Sequence, residues 1–263
     1  MQEEPLSSAI AKLRVLAAEH PDGACAFDGD GTLWSGDVGE DYLAHLLEED
    51  AFTDEASRLF ASEAERFGVA KTTAASDQLA ALFRAYTEGK LAEDRICGLI
   101  ALAVAGRTSE DVAKVAEEVV RLRDVRGRLH DETLEFLNES KKLGLLSLLV
   151  SASPQPIVVA AARVLGGAGL DAGDVIAVTP HEENGRVTTS LLLPIPYGEG
   201  KAQRLAERLG DRVLVACAGD NAFDLPMLAK ARLPLAIRPK ERLRAIAHEL
   251  PGLRILGQRP KAN

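Results

Sequence analysis

Cysteine is scarce in this chain of 263 residues, where Cys25, Cys97 and Cys217 are the whole supply. They share no metal-ligand spacing, and Cys25 and Cys217 sit in apolar runs. A zinc site and a disulfide scaffold are therefore excluded, and reduced, packed thiols are expected. Six residues beyond them lie Gly31, Ala103 and Phe223, none of them the arginine that a cysteine phosphatase requires. The five histidines are scattered without ligand spacing. Positive charge is in deficit: 31 Lys and Arg against 40 Asp and Glu give a formal charge of -9 and a pI near 5.2. Nucleic acid and anionic membrane are thereby excluded as partners, since both demand clustered basic groups. No apolar run approaches the ~20 residues of a membrane span. The opening MQEEPLSSAIAK carries no basic segment ahead of an apolar one, so a cytoplasmic protein is expected.

Hydrophobic residues are plentiful, at 46% of the chain, and suffice for a large core. The length exceeds the usual single domain and suggests one core with a sizeable insertion. Leu6, Ile10, Leu13 and Ala17 share a face of an opening helix that Pro21-Asp22-Gly23 ends. Residues 24–27 then read as a buried strand. From about 39 to 125 only helical periodicity occurs, as in Leu79, Leu82, Phe83 and Tyr86. After Arg126-Gly127 strands and helices alternate, with strands expected at 145–150, 175–178 and 213–217, and edge strands at 233–237 and 253–256. Ser153-Pro154 reads as a helix start, and Asn184-Gly185 is a hairpin signal. Alternation of this kind gives an α/β fold with a doubly wound parallel sheet. The expected division is a Rossmann-like core at 1–36 and 126–263 with an all-helical insertion at 37–125. Gly36 and Gly127, near the two crossings, are candidate hinges.

Open α/β sheets place ligands at the carboxyl ends of their strands. Asp28 and Asp30 follow the first strand, Ser151 follows 145–150, and Asp220 with Asp224 follow 213–217. Lys201 opens a helix after Gly198-Glu199-Gly200. Four carboxylates, a hydroxyl and an ammonium thus collect at equivalent points of the topology.

Phe27-Asp28-Gly29-Asp30-Gly31-Thr32-Leu33 resembles the first motif of the haloacid-dehalogenase superfamily. Leu149-Val150-Ser151-Ala152-Ser153 is similar to its second, Lys201 within GEGKAQRL to its third, and Gly219-Asp220-Asn221-Ala222-Phe223-Asp224 to its fourth. The helical insertion is similar to the cap of the phosphoserine-phosphatase-like branch. The resemblance implies a magnesium-dependent phosphomonoesterase for a small phosphorylated metabolite. Asp28 would attack phosphorus and form an aspartyl-phosphate. Asp30 would protonate the leaving oxygen and later take a proton from water. Mg²⁺ would be held by Asp28, Asp220, the main-chain carbonyl of Asp30 and, through a water, Asp224. Thr32, Ser151 and Ala152 would meet the phosphoryl group, and Lys201 would offset its charge.

Competing readings are weaker on their own chemistry. A calcium loop needs Gly and Glu where Leu33 and Gly39 stand. Ser151 lacks the glycines of a nucleophile elbow. Gly198-Glu199-Gly200-Lys201 is no P-loop, because Ile195 and Ala202 occupy the required Gly and Ser/Thr positions. A phosphotransferase passing the aspartyl-phosphate to an alcohol stays open, as does a non-catalytic phosphate- or metal-binding regulator. In phosphoserine phosphatases an acid nine positions after the nucleophile holds the substrate's ammonium, and Asp37 stands there. With Glu40 and Asp41 it also suits the first turn of a helix. Phe223 replaces the family's Asn, which departs from the phosphoserine-specific pattern.

Overall fold

The computed structural model describes residues 2–256, so Met1 and residues 257–263 of the expected core lie outside the described residues. A two-residue strand β1 (Gln2–Glu3) precedes α1 (Leu6–Glu19), which buries Ala9, Ile10, Leu13 and Ala17. β2 (Ala24–Phe27) is buried throughout. Five helices follow with no strand between them: α2 (Val38–Glu49), α3 (Asp54–Arg66), α4 (Ala75–Thr87), α5 (Glu93–Leu102) and α6 (Ser109–Leu122). Asp37, Thr53 and Thr108 cap α2, α3 and α6 by accepting backbone N–H bonds, which satisfies donors that a helix start leaves orphaned.

The alternating half comprises α7 (Asp131–Lys142), β3 (Leu146–Pro154), α8 (Gln155–Arg163), β4 (Val175–Val178) and the hairpin β5 (Pro180–Glu183) with β6 (Arg186–Leu191). It continues with α9 (Glu199–Leu209), β7 (Leu214–Gly219), α10 (Leu225–Leu228), β8 (Leu233–Ile237), α11 (Glu241–Ile246) and β9 (Arg254–Leu256). The main sheet has seven strands in the order β1-β9-β8-β7-β2-β3-β4, and every neighbouring pair is parallel. Successive residues of a strand face opposite sides. Cys25, Phe27 and Leu149 accordingly join one apolar core, with Leu13 and Phe136 from α1 and α7. Ala24, Ala26, Leu148 and Val150 join a second, with Leu205, Met227 and Leu243 from α9, α10 and α11. Helices cover both faces, which is why the strands read as continuous apolar runs.

Two expectations need correction. The strands at 233–237 and 253–256, both expected at edges, lie between β7 and β9 and between β8 and β1, and the edges are β1 and β4. β1 carries too short a pattern to register in the sequence. The strand expected to end at 150 runs on to Pro154, which pairs with Val178 after a break in register, and helix α8 starts one residue later.

β2 is the switch point of the sheet, with β3 and β4 to one side and β7, β8 and β9 to the other. The crevice at the carboxyl ends of β2 and β7 is where such sheets take ligands. The crossings between sheet and helical stretch run side by side, since Ser35 N donates to Arg128 O at 2.9 Å and His130 N to Leu33 O at 2.9 Å. The β5–β6 hairpin turns at Asn184 and Gly185, both at positive φ. It leaves the sheet to bond the loop after α5, with Gly106 N donating to Val187 O at 2.7 Å. Among the described residues no helix is long and apolar enough to cross a membrane.

Candidate active site

Backbone pairing continues from β2 into Asp28, whose N–H donates to Ala218 O at 2.9 Å. The side chain thus leaves a rigid strand end and is 5% exposed. The chain then turns tightly, with Thr32 N and Leu33 N both donating to Gly29 O. Gly31 makes this turn possible. Its φ is +87°, and a Cβ there would stand 2.2 Å from Asp220 Oδ2, so the backbone passes directly against the neighbouring strand's carboxylate.

After β7, one oxygen of Asp224 gathers the loop: Oδ2 accepts from Asp220 N at 3.0 Å and Asn221 N at 2.9 Å. The other, Oδ1, accepts from Lys201 Nζ at 2.6 Å. Lys201, in the first turn of α9, also donates to Asp28 Oδ1 at 2.5 Å. One buried ammonium therefore links the ends of two adjacent strands. Burial opposes its charge, but Asp224 and Asp28 hold its pKa above the ordinary lysine value. Burial, reinforced by Asp224, pushes the Asp28 carboxyl well above the usual carboxylate range, while Lys201 pulls the other way.

Asp30 faces the same cavity with both oxygens held. Oδ1 accepts from Trp34 Nε1 and Val38 N, each at 2.8 Å, and Oδ2 from Ser153 Oγ at 2.7 Å and Ser151 Oγ at 3.4 Å. Asp37 caps α2 through a bond from Glu40 N at 2.9 Å and also lines the cavity. Burial, with Asp30 nearby, raises its pKa to about 8.

The structure brings Asp28, Asp30, Asp37, Ala152, Lys201, Asp220 and Asp224 around one cavity of about 120 Å³. Thr32 and Ser151 do not line it; both are buried, and the Thr32 hydroxyl has no hydrogen-bond partner among the described residues. Three participants escape the sequence reading. Ser153 lies two residues beyond Ser151, on the same side of an extended strand. Trp34 is the chain's one tryptophan, and it locks Asp30. Lys240 places Nζ 3.1 Å from Asp220 Oδ2; inspection of the residues after 233–237 as a sheet strand would have found it.

Asp28, Asp220 and Asp224 each offer an oxygen within 4.8 Å of the others. Three buried carboxylates face two ammonium groups, Lys201 and Lys240. An all-oxygen donor set with surplus negative charge fits a hard divalent cation such as Mg²⁺, and offers none of the thiolate or imidazole that softer metals select.

The haloacid dehalogenase-like hydrolase family matches residues 25–229. The chain belongs to that family. Phosphoserine phosphatase SerB1 of Mycobacterium tuberculosis is 27% identical over 150 residues, 56% of this chain and 47% of that protein. The chain thus spans about half the length of the curated relatives it matches. A protein of unknown function from Bordetella pertussis Tohama I superimposes with a TM-score of 0.69 at 23% identity, covering 89% of this chain and 98% of that one. A phosphoserine phosphatase captured as a phospho-aspartyl intermediate analogue gives a TM-score of 0.52 at 18% identity, over 89% and 93% of the two chains. Both superpositions show a shared fold.

Proposed function

We propose that this hydrolase is a Mg²⁺-dependent phosphomonoesterase that works through a phosphorylated Asp28. The observation that carries the reading is the lysine bridge: Lys201 Nζ lies 2.5 Å from Asp28 Oδ1 and 2.6 Å from Asp224 Oδ1 in a buried crevice. A carboxylate attacks a phosphoryl group only when charge between the two is offset, and Lys201 supplies that offset from within the protein. Asp28, Asp220, the main-chain carbonyl of Asp30 and Asp224 would hold Mg²⁺, which when bound neutralises phosphoryl charge.

The protein's own groups divide the remaining work. Asp28 attacks phosphorus as the ester oxygen departs, and Asp30 gives that oxygen its proton. Asp30 then takes a proton from the water that opens the aspartyl-phosphate, which returns Asp28 and releases phosphate. Trp34, Val38 and Ser153 fix the orientation of Asp30 for both steps. The N–H of Ala152 serves the phosphoryl oxygens, while Ser151 and Thr32, which do not line the cavity, stay outside that set unless the site rearranges around the phosphate. Residues 37–125 form a helical cap over a core of which residues 2–36 and 126–256 are described, and shield the reaction from water. The cavity walls come from both parts, with Asp37, Tyr86 and Glu93 on the helical side. The size of the cavity favours a small metabolite, and three free cysteines suit a cytoplasmic setting.

The test is turnover of p-nitrophenyl phosphate with and without Mg²⁺, followed by borohydride reduction of quenched enzyme. Homoserine at position 28 is expected, with none in Asp28→Asn, whose rate should fall about a thousand-fold or more. Homoserine formed at another position, or activity that survives chelation, overturns the mechanism.

A further inference from the structure

Aromatic residues make up only 4% of this chain, yet two of its three tyrosines and two of its seven phenylalanines line the proposed active-site cavity. They come as two ring pairs. Phe83 and Tyr86, on α4, lie 5.7 Å apart between centroids, and Tyr197 and Phe223, on the sheet side, lie 4.5 Å apart. All four are half-buried and line the cavity, Phe83 and Tyr86 packing against the apolar core on their other side. Tyr197 ties the two walls together by donating its hydroxyl to Glu93 Oε2 at 3.3 Å.

Charge is distributed unevenly along the same cavity. Its two lining bases, Lys201 and Lys240, both sit at the carboxylate cluster, on Asp28, Asp224 and Asp220. The helical wall contributes Asp37, Glu40 and Glu93 and no base among the described residues. Once Mg²⁺ offsets the surplus carboxylates of that cluster the cavity is bipolar, with cation and ammonium groups at the end for phosphate and acids with π-faces at the other. A cation over an aromatic ring gains from the ring quadrupole, most strongly when the alternative partners are few and the site is desolvated. A substrate carboxylate in the same place would meet three acids and no base.

We infer that, within the phosphatase reading on which this rests, the substrate is the phosphomonoester of a small alcohol bearing an ammonium or quaternary ammonium group and no carboxylate. Glu93 supplies the counter-charge, and Tyr86, Phe83, Tyr197 and Phe223 supply the ring faces. Phosphate and cation then occupy opposite ends of one short cavity, each facing groups of opposite sign.

The experiment compares kcat/KM in Mg²⁺ for phosphocholine and 3,3-dimethylbutyl phosphate, its neutral isostere, with p-nitrophenyl phosphate as reference. Phosphoethanolamine and phosphoserine form a second pair that differs by a carboxylate. The wild-type protein should prefer phosphocholine over the isostere by about tenfold or more, and phosphoethanolamine over phosphoserine. Glu93→Gln and Tyr86→Leu should narrow the first gap mainly through KM, with melting curves to confirm that each variant folds. Equal values for cation and isostere, with aryl phosphate hydrolysed normally, overturn this inference and leave the phosphatase reading intact. Phosphoserine equal to or better than phosphoethanolamine overturns the exclusion of the carboxylate. No hydrolysis of the aryl phosphate removes the phosphatase reading and the inference together.

Discussion

Lys201→Met separates the structural from the catalytic weight of the lysine bridge. Lys201 is 4% exposed and touches two carboxylates that are themselves buried. Methionine approximates its bulk without charge, so packing loss is small. What changes is that Asp28 and Asp224, with Asp220 nearby, lose their shared cation, so the cluster must keep uncompensated charge in burial or take up protons to shed it. Breaking a buried pair in this way costs about 3–5 kcal/mol. For a protein of this size each kcal/mol moves the melting temperature by about 2–4 °C, so a fall of about 6–20 °C is expected in calorimetry without divalent cations. Two further outcomes are tied to the same cause. Adding Mg²⁺ should raise the variant's melting temperature more than the wild type's, because a cation bound only by the folded state stabilises it by linkage. The double variant Lys201→Met/Asp28→Asn should melt above Lys201→Met alone, since it removes one uncompensated charge. A single variant that melts within about 2 °C of wild type would refute the reasoning, because such carboxylates could not be relying on Lys201.

Asp30→Asn should slow alkyl phosphates far more than p-nitrophenyl phosphate, whose leaving group departs without protonation; equal losses in steady-state assays would remove Asp30 as the acid. Gly31→Ala must accommodate a Cβ 2.2 Å from Asp220 Oδ2 at φ +87°, so it should cost about 1–3 kcal/mol in denaturant melts and displace Asp220 enough to weaken Mg²⁺ response. For Asp37, burial raises the folded pKa to about 8. The folded protein therefore retains a proton that the unfolded chain releases near its ordinary value. That contribution to stability is complete below pH ~4 and is lost as pH rises through about 8. Asp37→Asn, which still caps α2, should gain on wild type across that window by about 1–2 kcal/mol, a figure reduced because the side chain keeps some contact with solvent. A stability difference that does not vary with pH would show that Asp37 ionises normally.

The parallel sheet was legible because its strands are covered on both faces, which leaves short apolar runs such as Ala24–Phe27 and Val175–Val178 that the structure reproduces to the residue. The hairpin was legible for a different reason: Asn184 and Gly185 both adopt positive φ, and few residue pairs tolerate that. Position within the sheet was not legible. Nothing in Leu233–Ile237 distinguishes an inner strand from an edge, because that depends on β9 pairing along its other side. β1 itself, at two residues, is stabilised by partners rather than by its own pattern.

The same distinction governs the site. Residues that hang from strand ends, Asp28 and Asp220 above all, follow from the topology once the strands are found. Lys201 is fixed by the first turn of α9 and the close turn before it, where a Cβ on Gly200 would lie 2.0 Å from Ile195 O. Those groups meet a phosphate, whose geometry is common to many substrates, so their spacing is readable as a pattern. Glu93, Tyr86 and Tyr197 come from two helices' worth of chain and a loop far apart in sequence, and no local periodicity links them. They converge only because α4 and α5 pack across the crevice at the end of β2. Chemistry shared by a family is thus written in short motifs on the sheet, whereas discrimination among substrates is written in the contacts between sheet and helices. Substitutions at Glu93 and Tyr86 should therefore move KM between substrates, while those at Lys201 should move kcat for all of them.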